Sequence, residues 1–475
     1  MGVSENALLA RARGFLLRGS VLAALTLLMT LLYASTAWAQ TFTVTNLNDS
    51  GPGSLREAIE AAEANAGVDE IVFADGVSGT ITLASTLPTV TDPEGLTIDG
   101  GGDVTVSGNN AVRVFVVTLE AKLSLRGLTV SDGNSRRIGG ELAAGGALLN
   151  QGRTTIINST ITGNSAADRP GSASVGGGIY SDQFSDFGTM LKVIDSTISG
   201  NSATLGGGIF MSGGTMEVTN STISGNNAPD FGSGGGIFFG SGGDATITNS
   251  TISGNSAGAA GGGIYNGGAM EVTNSTISGN EALDAHGTEG GGGIYNGSGA
   301  LEVANSTLSQ NSAEEGGGIY NSPFRGATAT LHSTIVANTP QGSNCSGAPI
   351  TDGGYNIDDS GTCGFTPETG SLPDTNPLLD PTGLADNGGP TQTIALLPES
   401  PAVDLVSQEA CPPPSTDQRG VERPQGEACD SGAFELVQGP QTKADCKQGG
   451  WEEFGFKNQG QCIASLQKEQ VQTSQ

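Results

Sequence analysis

Three glutamates, Glu217, Glu271 and Glu302, occupy the same place in a recurring apolar-Glu-Val phrase. Thr246 holds that place between the first two, so Glu271 and Glu302 belong to adjacent copies. Neighbouring carboxylates can raise one another's pKa or recruit a cation such as Ca²⁺. The plainer reading is a solvated acidic stripe, and residue type alone favours it. A second cluster, Asp284, His286 and Glu289, has metal-ligating residue types, although Gly287 also suits a mobile, solvated loop. His332 is read as taking the place of the first Asn in the last repeat, and so as the end of a ladder. A glycosidase needs two carboxylates flanking the scissile bond, and a lyase needs a base. Between Lys192 and Arg325 there is no Lys or Arg, against eleven Asp and Glu. No residue is therefore assigned to catalysis or to cofactor binding.

The elements that would position these residues are repeats. Asn274-Ser-Thr-Ile-Ser-Gly-Asn280 is followed by Gly291-Gly-Gly-Ile-Tyr295, and the pair recurs along the middle of the chain. The last Asn of the first phrase falls at Asn164, Asn201, Asn226, Asn255, Asn280, Asn311 and Asn338, with spacings of 25 to 37 residues. A fixed phrase with a variable gap marks a solenoid with insertions on its surface. The phrases are rich in Thr, Val and Ile, alternate locally, and end in Gly or Asn, which tolerate left-handed bends. They lack helical periodicity. The expected fold is all-β, a right-handed parallel β-helix. Val218, Ile223 and Ile237 should point inward, and the Asn series should stack from coil to coil. The Asn-Ser-Thr triplets at Asn158, Asn220, Asn249, Asn274 and Asn305 match a glycosylation sequon, but their repetition at one position argues for ladder residues. A chain with 77 Gly and 5% aromatics could not fill a large globular core, and a solenoid does not need one.

The net charge of −29 argues against nucleic acid and anionic lipid as partners. Residues 1–39 read as a secretory leader: Arg11, Arg13 and Arg18, an apolar run from Val21 to Tyr33, then Ala37-Trp38-Ala39. No other segment is long enough to span a membrane. Residues 40–137 read as a cap and the first coils, with Ser54 capping a short amphipathic helix and Glu57 as its reciprocal partner. Residues 138–342 carry the repeats, 343–436 form a C-terminal domain, and 437–475 a linker, a small Cys-bounded module and a tail. The six cysteines, at 345, 363, 411, 429, 446 and 462, all follow the repeats. An even number in an exported chain implies disulfides. Nearest-neighbour pairing, Cys345–Cys363, Cys411–Cys429 and Cys446–Cys462, closes three loops of similar length. Zinc is disfavoured because no Cys-x-x-Cys spacing occurs.

The repeats resemble those of chlamydial polymorphic outer-membrane proteins, and more broadly the secreted right-handed β-helix proteins grouped near pectate lyases. Ser54-Leu-Arg-Glu-Ala58 resembles the N-terminal CSLREA module of secreted bacterial β-helix proteins, with Gly53 in place of its Cys. The run from Leu384-Ala-Asp-Asn-Gly-Gly-Pro-Thr-Gln-Thr-Ile through Thr416-Asp-Gln-Arg-Gly420 to Asp430-Ser-Gly-Ala-Phe-Glu435 resembles the choice-of-anchor Q domain. These resemblances imply a surface or extracellular scaffold that meets a glycan or a surface protein, without catalysis. The alternative they leave open is a polysaccharide lyase or hydrolase. A monomer is expected.

Overall fold

A computed structural model describes residues 39–136, 142–166, 173–182, 188–283, 290–411, 413–437, 439, 447, 457–461 and 463. Asp284, His286, Glu289, Cys446 and Cys462, together with nearly all of the leader, lie outside the described residues. The chain winds into a parallel β-solenoid. In a typical coil, Gly214–Thr219 and Thr222–Ser224 meet at a corner, Asn227–Ala228 follows, and Ile237–Phe239 closes the turn. In the repeat coils the first two strands belong to a 22-stranded sheet, and the one at Ile237–Phe239 and its counterparts to a nine-stranded one.

Alternation decides which side chains fill the tube. Met216 and Val218 point in while Glu217 stays half-exposed. On the opposite wall Ile209, Ile237, Ile264, Ile294 and Ile319 stack in register and are buried. Before that wall the chain bends at Gly234, whose φ of 67° suits glycine. A Cβ on Gly235 would strike the Gly262 carbonyl of the next coil.

Both ends of the tube are closed. The helix Leu55–Glu63 buries Leu55, Ala58, Ile59 and Ala62 over the first coil. The Ser54 hydroxyl accepts from the Glu57 N–H (3.2 Å), and the Glu57 carboxylate accepts from Gly53 N–H (2.6 Å). At the far end Cys345 takes the place of the inward Ile319 one coil on, and its disulfide to Cys363 closes the core beside Phe365. Cys411 is bonded to Cys429.

The asparagine ladder forms from Asn164 to Asn311. Asn164 Nδ2 donates to Asn201 Oδ1 (2.9 Å), and the same 2.9 Å bond joins Asn201 to Asn226, Asn226 to Asn255, Asn255 to Asn280 and Asn280 to Asn311. Each Oδ1 also accepts the preceding ladder residue's backbone N–H, at 2.9–3.1 Å. Asn338 is a correction. Register pairs Ser309 with Ala337, so Asn338 matches Gln310, the left-handed residue before the ladder, and not Asn311. It is exposed, with φ 56°. His332 is displaced in the same way: it pairs with Ala304, and Ser333 (φ 45°) takes the first-Asn corner. The last repeat keeps the letters of the phrase but sits one residue out of step with the coil before it.

Substituting Asn226→Leu should lower stability by at least about 3 kcal/mol, since it orphans buried partners in both neighbouring coils. Asn338→Gly, which installs the residue that equivalent coils use, should be neutral within about 0.5 kcal/mol. Melting temperatures of the two variants check this, and equal shifts would refute the assignment.

Candidate functional site

Every outward row on the 22-stranded sheet is set by register. One row runs Thr155, Lys192, Glu217, Thr246, Glu271, Glu302. Glu271 and Glu302 are therefore direct neighbours, as their repeat positions predict, and both are exposed. The Thr273 hydroxyl donates to Glu271 (3.2 Å). Glu217 stands apart from them. Lys192 Nζ lies 2.5 Å from its carboxylate, with both side chains about one-third exposed. Glu217 thus leaves the acidic stripe that its repeat position predicts, because Lys192 neutralises it. Beyond Glu302, His332 Nε2 lies 4.0 Å from the Glu302 carboxylate and its Nδ1 meets the Gly353 carbonyl at 3.1 Å. Among the described residues no group of three or more Asp, Glu, His or Cys is arranged to hold a metal.

The opposite charge collects on the same face, toward the N-terminal end. Lys122 pairs in register with Arg153, and Ser124 with Thr155, which in turn pairs with Lys192. Arg126 lies on the same strand as Lys122, on the same side of it. Lys122, Arg126 and Arg153 are exposed, and none forms an ion pair with a described residue. Beside Lys122 and Arg153 runs a groove of about 250 Å³, lined also by Thr97, Ser124, Thr155, Val68 and Met190. Like charges facing across strands repel, so this grouping costs stability in the empty protein. The sequence alone does not bring Lys122, Arg126, Arg153 and Lys192 to one face, because insertions of unequal length hide the register.

Other rows are structural. Tyr180, Phe210, Phe238, Tyr265, Tyr295 and Tyr320 stack outside the nine-stranded sheet with centroids 4.4–5.5 Å apart. Their faces cover one another, so the row offers edges, not faces, to a sugar ring. Ser159, Ser196, Ser221, Ser250, Ser275 and Ser306 form a second ladder, in which each backbone N–H but the last donates to the next Ser hydroxyl at 3.1 Å. Asn266, Asn296 and Asn321 form a third, with 2.9 Å side-chain bonds. The signal for these was in the repeats: the Ser of Asn-Ser-Thr and the last residue of Ile-Tyr-Asn.

The C-terminal motif folds back as a clasp. Residues 345–373 first continue the coils. Residues 379–436 then lie along the 22-stranded sheet. Thr391 donates to the Asn249 carbonyl (3.0 Å), Thr251 to the Gln392 carbonyl (2.6 Å), and Thr276 to Gln418 (2.6 Å). Asn274 donates to the Thr416 carbonyl (2.6 Å), and the Ala433 N–H to Thr307 (3.0 Å). Ile335, Ile357, Ile394, Leu396 and Phe434 form the apolar anchor. Behind it a charged network is buried. Arg423 pairs with Glu435 (3.0 Å), and Arg419 pairs with Asp417 (2.7 Å) while lying 3.6 Å over the Phe434 ring. Acids outnumber bases there, since Asp404 and Asp430 join in: the Asp404 and Leu436 N–H groups donate to Asp430. Burial, then the neighbouring Glu435, pushes the Asp430 carboxyl up to about 7, against the pull of those N–H groups and Arg423. Burial also raises Glu435, opposed by Arg423.

Two outcomes follow. Glu271→Gln with Glu302→Gln should leave stability unchanged or slightly higher, because two exposed like charges are removed. Glu217→Gln should cost at most about 1 kcal/mol, the worth of a partly exposed pair. Thermal melts of the variants, with and without Ca²⁺, decide the matter, and a Ca²⁺-dependent rise abolished in the double variant would establish a cation site. For Asp430 the folded pKa lies above its ordinary value of 3.8. Its contribution is thus complete below about pH 4 and is lost as pH rises through about 7. Hydrogen exchange of residues 379–436, corrected for intrinsic rates, should show weaker protection at pH 8 than at pH 5. Equal protection would contradict the assignment.

A family model described as "Right handed beta helix region" matches residues 145–365. Among solved structures the chain is similar to one described as "Crystal structure of pectate lyase Pel9A", at 16% sequence identity and a TM-score of 0.44, covering 83% of this chain and 96% of that chain. No curated protein matches. The coils of residues 145–365 are thus a right-handed parallel β-helix region.

Proposed function

We propose that this protein is an exported, non-catalytic β-helix scaffold that holds an anionic glycan on the cationic end of its long sheet. The observation that carries the reading is Lys122 and Arg153, register neighbours on adjacent coils that both line one groove, with Arg126 and Lys192 further along the same face. In a chain of net charge −29, Lys122 and Arg153, like charges on adjacent strands, lose stability unless a ligand neutralises them. The floor of Thr and Ser hydroxyls supplies donors and acceptors for sugar hydroxyls. A rigid rod presents such a row with no backbone left to order on binding, so the ordering cost is confined to the Lys and Arg side chains. Export is supported by the leader signature and by two disulfides, which persist in oxidising compartments.

The non-catalytic part rests on the place of the facing carboxylate pair; the acids beside the cations, Asp99 opposite Arg126 and Glu70 opposite Thr97, are not register partners of each other. The adjacent carboxylates Glu271 and Glu302 lie beyond Glu217 and Thr246 from the cationic groove, and both are open to solvent. A glycosidase instead keeps an acid in a sheltered setting across the scissile bond from its partner.

The test uses polygalacturonate as the anionic polymer and xylan as a neutral one, with the full mature chain. Polygalacturonate should bind with an affinity that falls as salt is added, and xylan should not bind. Lys122→Gln with Arg153→Gln should weaken binding about tenfold, since two exposed charge contacts of about 0.7 kcal/mol each are lost. Release of shortened or unsaturated products would establish the lyase or hydrolase alternative. Equal binding by the wild type and the double variant would end the proposal.

A further inference from the structure

The clasp touches the rod through a unit that each coil repeats. The unit is a corner residue in left-handed conformation and a Thr two residues on. Asn249 (φ 50°), Asn274 (φ 46°) and Asn305 (φ 47°) are the corners under the clasp, and Thr251, Thr276 and Thr307 are the buried threonines. Corner groups and threonine hydroxyls make the contacts: the Asn249 carbonyl, the Asn274 amide and the Oγ1 atoms of Thr251, Thr276 and Thr307.

The same unit continues on three coils that the clasp does not cover. Asn158, Asp195 and Asn220 have φ of 47°, 49° and 49°. Thr160, Thr197 and Thr222 lie in one register line with Thr251, Thr276 and Thr307. These three threonines are half-exposed where their covered counterparts are buried. The clasp therefore occupies one half of a longer uniform strip.

We propose that the uncovered half, from Asn158–Thr160 to Asn220–Thr222, is a docking strip for an extended polypeptide segment of a partner protein. The segment should carry neighbouring Thr and Gln side chains, as Thr391-Gln392 does in the clasp. The free strip is continuous with an interface already filled by a polypeptide of that chemistry. Its corner carbonyls accept side-chain hydroxyl or amide donors, and its threonine hydroxyls donate to backbone carbonyls. Asp195 adds one more acceptor; its carboxylate already takes a bond from Asn220 Nδ2 at 3.1 Å. The inference does not depend on glycan binding, which uses other rows of the sheet.

The probe is a fluorescent, photo-crosslinkable peptide with the sequence of residues 386–397, added to the full mature chain. Saturable binding is expected, with crosslinks mapping to residues 158–224. Thr197→Val with Thr222→Val removes two hydroxyls while keeping β-branched residues on the strand. It should weaken binding at least fivefold with an unchanged circular dichroism spectrum. Absence of saturable binding, or binding insensitive to the double variant, would overturn the proposal. So would crosslinks confined to residues 249–337, which would mean that the peptide merely displaces the clasp. Self-association in sedimentation that disappears in the double variant would replace the foreign partner by a second copy of this chain.

Discussion

Coil-on-coil register is the constraint on which everything else in this molecule depends. Each coil buries little by itself, and its backbone groups find partners only in the coils above and below. The buried asparagines extend that dependence to side chains. An amide buried without a partner costs about 1–3 kcal/mol, so Asn226 is tolerable only because Asn201 and Asn255 stand on either side of it. The serine ladder repeats this logic at the other corner, and it passes to Thr334, Asn356 and Ser371 where the repeat sequence fades. Those substitutions keep a donor or acceptor at the position, although the residue type changes.

The same constraint turns any repeated surface residue into a row, including charged ones. Glu271 facing Glu302 is a by-product of repetition that water can screen. Lys122 facing Arg153 cannot be explained that way, because Lys and Arg do not recur in the phrase. Those cations were placed one by one in diverging coils, and they converge on one groove. Convergence without repetition is what separates a candidate site from a stripe.

The fold was legible because the hydrophobic and Asn spacings survive insertions. Inward Val218, Ile223 and Ile237, the capping role of Ser54 and the adjacency of Glu271 and Glu302 could all be read from the phrase. Asn338 was misread because the phrase aligns by letters while the coil aligns by hydrogen bonds, and the two part company by one residue in the last repeat. The cationic groove was illegible for a different reason. Lys122 and Arg153 are 31 residues apart and Arg153 and Lys192 a further 39, and these spacings reveal a common face only once the register is known. The aromatic row follows from the same alternation: the residue after each inward Ile of the Gly-rich phrase points outward, where successive rings stack.

The clasp answers a weakness that a solenoid has by construction. Nearest-neighbour contacts alone let the rod open at any weak coil. Thr391, Thr416, Gln418 and Ala433 tie the clasp to four successive coils, from Asn249 to Thr307 and on to Ser333 through Gly432. A coil that opens under it must break contacts shared with its neighbours, which couples their stabilities beyond the nearest-neighbour range. The clasp's own rigidity comes from the Arg423–Glu435 and Arg419–Asp417 pairs, buried with an excess of acid. Such a network holds firmly while Asp430 keeps its proton and less firmly once it is charged. Among the described residues no such strap crosses the coils from Asn158 to Thr222. The part of the rod that displays Lys122, Arg153 and the threonine strip is held by ladder, sheet and core contacts within the coils.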